Sequence, residues 1–307
     1  MKKLVIKFIL LFIFAFGLFC LVDYFSCKAE TKELVAKLTG SNEYLGEETG
    51  TDSIISIIRA VNTDDGTNVL VIGDSVSGQL FSGLAGECPD TRIACSNAAI
   101  NISGQYLLAV NYLENHPETT DVWLFAHPLT LDRGYDMELG YGYAVMPFAI
   151  EGVLDELDEV TIDQMAGAYG RVALSPAFAG AINRSPLNRK LFFSYIRMHN
   201  EEYIQENAYE IASLYILKLA DICREKGINF HFYSSPSTEY FRDKIESTRD
   251  DFNASELSKA YPDYLDSIYY FPTEWSKDYT HFDDEHAVGE VYNEIINNAY
   301  DEFFTDT

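Results

Sequence analysis

The chain has 307 residues, 47% apolar and 14% aromatic, a composition that supports a large folded core and excludes a disordered polymer. Its formal net charge of −26 sets its surface against a nucleic-acid backbone, so no nucleic-acid partner is expected. Five cysteines are too few for a disulfide-built scaffold, although Cys88 and Cys95 are close enough in sequence either to pair or to stay as small free thiols.

Lys2, Lys3 and Lys7 precede an apolar run over residues 8–22, extended on its near side by Leu4-Val5-Ile6. This is an export signal or a membrane anchor. The residues that follow, 23–29, offer no small-x-small cleavage pattern, so an uncleaved signal anchor over 1–33 is the preferred reading. Bulky residues precede Cys20 and Cys27, which disfavours lipid attachment at either. With the lysines on the near flank, the positive-inside tendency keeps the N-terminus cytoplasmic. The expected localisation is a single-pass cell-membrane protein whose main domain is extracytoplasmic. Beyond residue 33 the chain carries 17 basic against 45 acidic side chains.

Over residues 34–66 the spacing of Leu34, Leu38, Ile54, Ile55, Ile57 and Ile58, broken by Gly40, Gly46 and Gly50, predicts two short helices forming a stalk or brace. The main domain then occupies 67–307. Its strands and helices alternate: strands over 68–72, 92–95 and 122–126, helices over 77–86 and 104–116. Such alternation predicts an α/β fold, a three-layer α/β/α sandwich with a central parallel sheet. The rhythm stops at Pro128 and resumes at a helix over 201–226, ended by Gly227, and a strand over 228–234, which makes residues 129–200 an insertion. A last strand over 267–271, a polar loop and a terminal helix over 284–303 complete the chain.

Gly73-Asp74-Ser75 directly follows the apolar run Val69-Leu70-Val71-Ile72. Ligands of open parallel sheets bind beyond the carboxyl ends of the strands, and a serine opening a helix there has backbone N–H groups beside it to stabilise an oxyanion. Alone, such a tripeptide usually arises as a turn with a capping serine. The loop after the last strand adds Asp278-Tyr279-Thr280-His281. A carboxylate three residues before a histidine can orient the imidazole, which then serves the serine as general base. Asp283-Asp284-Glu285-His286 repeats the spacing, but Asp283 or Asp284 fits the N-cap of the terminal helix, so Asp278 and His281 are preferred. Two histidines five residues apart do not share a helical face, and no metal or cofactor is expected.

The serine early and the aspartate-x-x-histidine late resemble the SGNH/GDSL hydrolase superfamily over residues 67–303, whose fold is flavodoxin-like. The resemblance implies Ser75 as nucleophile, His281 as base, Asp278 as its orienting acid and the Ser75 amide as one oxyanion donor. The family's second block, asparagine then glycine, corresponds to Ser96-Asn97-Ala98-Ala99-Ile100-Asn101, with alanine where glycine is common. Its third block, normally Gly-x-Asn-Asp, falls at Leu124-Phe125-Ala126-His127-Pro128, without an asparagine. Asn97, Ala98, Asn101 and His127 are the candidates for the remaining donor.

The insertion carries Asp132-Arg133-Gly134-Tyr135, Gly140-Tyr141-Gly142-Tyr143 and Met146-Pro147-Phe148. Its aromatic rings suit either a carbohydrate platform or lid, or core packing with hydrogen-bonded hydroxyls. Arg133, Arg184 and Arg189 suit an anionic substrate group or pairing with surface carboxylates. Anchor, outward domain and motifs together resemble the membrane-anchored branch of the superfamily found in D-alanyl-lipoteichoic acid biosynthesis and alginate-type O-acetylation. That resemblance implies an esterase or O-acyltransferase acting on a cell-surface glycan through an acyl-serine, with a multi-spanning membrane acyl exporter as a candidate partner. Two alternatives stand beside it: a catalytically inactive glycan- or partner-binding module, and a lipase or thioesterase for longer acyl chains.

Overall fold

The computed structural model describes residues 2–39, 50–81, 88–96, 101–131, 134–135, 140–199 and 208–283. The apolar N-terminal run is one helix, α1 (Lys2–Ser26), followed by α2 (Ala29–Thr39). Within α1, Val5–Phe25 has a mean hydropathy of 2.8 and lies outside the protein core. Its 21 residues rise about 32 Å at 1.5 Å each, long enough to cross a bilayer core.

Helix α3 (Gly50–Val61) places Ile54, Ile58 and Val61 on one face and buries all three. A fold-wide core forms around that face, since α3 packs on the helices named below as α5 and α7. The chain then enters β1 (Val69–Gly73), α4 (Ser75–Phe81), β2 (Thr91–Ile93), α5 (Ile102–Asn115) and β3 (Asp121–Ala126). After β3 come α6 (Pro128–Leu131), a π-helical turn at Gly140–Val145, α7 (Met146–Glu151), α8 (Glu159–Tyr169), α9 (Pro176–Arg184), α10 (Pro186–His199) and α11 (Ala208–Lys226). β4 (Asn229–Ser234) returns to the sheet, where Gly227 at φ 74° turns the chain out of α11.

The protein is mixed α/β, with a central parallel sheet of four strands ordered β2-β1-β3-β4. Strand residues alternate between two cores, as the pleat requires. Leu70, Ile72, Val122, Leu124 and Ala126 join the larger core with α3, α5 and α7. Val69, Val71, Trp123 and Phe125 face the other way, onto Val76, Leu80 and Phe81 of α4. Because β2 and β3 lie on opposite sides of β1, the connections diverge at the carboxyl ends of β1 and β3, where a crevice opens.

One expectation needs correction. The last strand does not enter the central sheet: β6 is only Tyr270–Phe271 and pairs in parallel with β5 (Ser237–Thr238) as a separate two-stranded sheet. Of the two readings of the Gly-Tyr-Gly-Tyr run, core packing with a hydrogen-bonded hydroxyl holds for Tyr141. Tyr141 is fully buried, its hydroxyl donating to the Ala173 carbonyl at 2.8 Å, and Tyr135 shares a 2.9 Å hydrogen bond with Ser103. These rings face the larger core, where Tyr169 and Phe192 meet them edge-on or tilted. Burial alone pushes the Tyr141 phenol far above its ordinary range.

Candidate active site

β1 ends at a glycine for a steric reason. A Cβ on Gly73 would lie 2.8 Å from the Phe125 carbonyl oxygen and 2.8 Å from Ser77 Cβ, so the strand can pass β3 and start α4 this tightly only without a side chain. Ser75 then sits at the first position of α4, half-buried at the carboxyl edge of the sheet.

The loop carrying Asp278 and His281 is closed on itself. Ser276 and Phe282 form an antiparallel bridge, the Asp283 N–H donates to the Trp275 carbonyl at 2.9 Å, and the Ser276 hydroxyl donates to the His281 carbonyl at 2.8 Å. Gln79, one helical turn beyond Ser75, ties this loop to α4. Its Nε2 donates to the Phe282 carbonyl and its Oε1 accepts the Phe282 N–H, both at 3.0 Å. Ser75 and Gln79 share a helix face, so one side chain reaches His281 and the other its neighbour.

The outcome is a continuous relay. Ser75 Oγ lies 2.7 Å from His281 Nε2, and His281 Nδ1 lies 2.8 Å from Asp278 Oδ2. With Nδ1–H donated to the carboxylate, Nε2 is left with a lone pair for the serine proton. Asp278 Oδ1 also accepts the backbone N–H groups of Thr280, at 3.0 Å, and His281, at 2.7 Å. Partial burial pushes the Asp278 carboxyl up, but the hydrogen bonds from His281 and Thr280 together outweigh it and hold the group below its usual value. Tyr279 between them adopts φ 66°, a left-handed backbone rare for a bulky residue, with its carbonyl held by the Thr238 hydroxyl at 2.7 Å. Its ring lies exposed, 4.7 Å from that of exposed Tyr240.

Asp74, a residue the sequence singles out only as part of the tripeptide, is the buried hub beneath the serine. Oδ1 accepts the N–H groups of Val76 and Ser77, both at 3.1 Å, and the Ser77 hydroxyl at 3.2 Å. Oδ2 accepts the His127 N–H at 2.9 Å and the Ser235 hydroxyl at 2.7 Å. One carboxyl group thus joins the ends of β1, β3 and β4. It takes the second and third amides of α4 and leaves that of Ser75 for an incoming oxygen.

Of the oxyanion candidates, Asn97 and Ala98 lie outside the described residues; the preceding Ser96 donates its N–H to the Gly73 carbonyl at 3.3 Å. Asn101 caps α5, its Oδ1 accepting the Gly104 N–H and the Ser103 hydroxyl. His127 has both N–H groups committed. Its backbone N–H goes to Asp74, and Nδ1 accepts the Leu129 N–H at 3.3 Å, so Nε2 carries the proton shared with Ser237 Oγ at 2.9 Å. Burial lowers the His127 pKa, Lys244 adds to this, and Asp74 opposes both, leaving a net downward shift and a neutral ring. His127 therefore holds structure together, Asn101 anchors the start of α5 through its Oδ1, and the Ser75 amide, first of α4, is the donor beside the serine hydroxyl.

His286 and Arg133 lie outside the described residues. Arg189 donates to Asn183, which in turn donates to Asp52 at 3.0 Å, so this arginine is engaged within the protein. Cys88 and Cys95 remain thiols rather than a disulfide; burial, with Asp74 nearby, pushes the Cys95 thiol well up, which keeps it a poor nucleophile.

No family model, curated protein or solved structure matches this chain. The functional reading rests on the geometry of the site itself.

Proposed function

We propose that the chain is an SGNH-type serine esterase or O-acyltransferase, with a three-layer, flavodoxin-like α/β/α architecture, working on acylated cell-surface polysaccharide outside the membrane that α1 spans. The observation that carries this is the Ser75–His281–Asp278 relay, with contacts of 2.7 and 2.8 Å. In the reaction His281 Nε2 takes the Ser75 proton as Oγ attacks the ester carbonyl. The Ser75 amide donates to the oxygen on which negative charge develops. Collapse expels the sugar alcohol, which takes the proton from His281 and leaves an acyl-serine. Water or an acceptor hydroxyl then repeats the sequence in reverse, with His281 again as base.

The exposed Tyr240–Tyr279 pair beside the catalytic loop supports a sugar-bearing substrate, since tyrosine faces stack on the apolar faces of pyranose rings while their hydroxyls stay wet. The binding-module reading keeps one observation in its favour: Leu124-Phe125-Ala126-His127-Pro128 after β3 carries no asparagine to serve as a second oxyanion donor, and loss of one donor typically costs about 2.7–4 kcal/mol of transition-state stabilisation.

A fluorophosphonate probe with peptide mapping decides between them. Stoichiometric phosphonylation of Ser75 is expected, abolished by Ser75→Ala and slowed about 10²–10⁴-fold by His281→Ala. A folded chain whose Ser75 stays unmodified refutes the enzyme reading and leaves the binding module.

A further inference from the structure

Of the 48 acidic residues none lies between positions 164 and 200, a stretch that contains Arg171, Arg184, Arg189, Lys190 and Arg197. In a chain of net charge −26 this is a local reversal of sign, and α10 is at its centre. That helix is apolar on two faces. Phe192 and Ile196 are buried, with the Phe192 ring 4.9 Å from Tyr141 and 5.3 Å from Phe178. Leu191, Tyr195 and Met198 stand outward on another face, 52%, 51% and 69% exposed. Their spacing of four and then three residues stacks them into one stripe. A surface helix of a water-soluble domain turns a polar face outward, so a second apolar stripe needs a cover.

The position of α10 indicates what covers it. α1 packs against α10, and just beyond α1 the Cys27 thiol donates to the carbonyl of Arg184, at the end of α9, at 3.6 Å. The apolar stripe and the basic stretch therefore lie where the membrane-length helix leaves the domain. A second copy of the chain is a poor cover, because a symmetric pairing would set this basic patch against itself.

We propose that the outer face of α10 rests in the surface of the bilayer that α1 crosses. Leu191, Tyr195 and Met198 enter the interfacial layer, and the exposed Arg184 and Lys190 beside them meet anionic phospholipid headgroups. The inference depends on α1 being a membrane anchor. A helix lying in the interface plane carries this combination of apolar stripe, aromatic ring and basic flanks. The acidic remainder of the domain is repelled by the same anionic surface, so the two forces act together to fix which side of the domain faces the lipid.

The test uses the full chain in phosphatidylcholine vesicles with and without phosphatidylglycerol, after a carbonate wash that retains only integral protein. Tyr195→Trp, and separately Met198→Trp, place a fluorophore on the stripe, and lipids brominated near the top of the acyl chain quench one that reaches them. The native chain, with Trp123 and Trp275, sets the background. The expected result is a loss of emission beyond that background, larger with phosphatidylglycerol, whose increment shrinks in Arg184→Glu/Lys190→Glu. Retained chains in which neither added tryptophan is quenched overturn the proposal while leaving the anchor intact. Chains that wash off refute the anchor, and the proposal with it. Shielding that appears only at high protein-to-lipid ratio assigns the stripe to a second copy instead.

Discussion

Asp74 is the residue on which the serine's placement turns. All of its described hydrogen-bond partners are donors: two amides of α4, the His127 amide and the hydroxyls of Ser77 and Ser235. Asp74→Asn keeps the shape but turns one oxygen into an NH₂ group that faces donors wherever it points. Each buried polar group left unpaired costs about 1–3 kcal/mol, so a loss of about 3 kcal/mol in urea denaturation is expected, together with slower phosphonylation of Ser75. Native stability in the Asp74→Asn variant would mean that water replaces these bonds and that Asp74 is no hub. The neighbouring tripeptide member, Gly73, was legible in sequence as the end of a strand. The role of Asp74 was not, because its bond to Ser235 spans 161 residues and depends on the β1–β3–β4 register.

At the scale of elements, α4 and the 276–282 hairpin form one structural unit joined through Gln79. Gln79→Met preserves volume and removes both bonds to Phe282, so His281 loses its fixed distance to Ser75. The expected outcome is slower phosphonylation with little change in thermal unfolding, because the bond pair lies at the edge of the core; labelling at the native rate would show that the hairpin is held without Gln79. The crevice between β1 and β3 makes a second, pH-dependent prediction through His127. Its folded pKa lies below an unfolded value near 6.5, so the unfolded chain binds more protons in that window and stability falls as pH drops below about 6.5. His127→Asn should flatten the fall in urea midpoint between pH 7 and pH 5, and an unchanged slope would assign it to other groups. The local signals behind this site were legible: an apolar run ending in Gly-Asp-Ser, and an aspartate three residues before a histidine. β5 was not, since a two-residue segment carries no alternation to read, and β6, inside the strand expected over 267–271, gave no sign that it pairs with β5. Gln79 was hidden for the reason Asp74 was, its partner lying 203 residues away. The Gly-Tyr-Gly-Tyr run left two readings open, because ring chemistry alone does not distinguish a sugar platform from core tyrosines with satisfied hydroxyls; the burial of Tyr141 decides for the core.

For the whole molecule the governing quantity is the uneven distribution of charge. A net charge of −26 produces a field that reaches beyond individual contacts, and the acid-free stretch at residues 164–200 is the exception to it. On the proposed reading, ligands arrive at Ser75 through that negative field, which penalises anionic ones. The penalty is a screening effect: the Debye length shrinks from about 30 Å at 0.01 M salt to about 8 Å at 0.15 M. Two fluorophosphonates that share a reactive head, one with a neutral tail and one with a carboxylate tail, separate this from chemistry at the serine. Raising salt over that range should accelerate labelling by the anionic probe and leave the neutral one nearly unchanged, since the acyl-transfer machinery is common to both. Equal salt responses would show that the field at the site is locally neutral and that the acidity of the chain serves only its solubility. A selective response would instead support the proposed reading, in which a domain held at an anionic bilayer takes neutral glycan esters while its field keeps charged lipid headgroups away from Ser75.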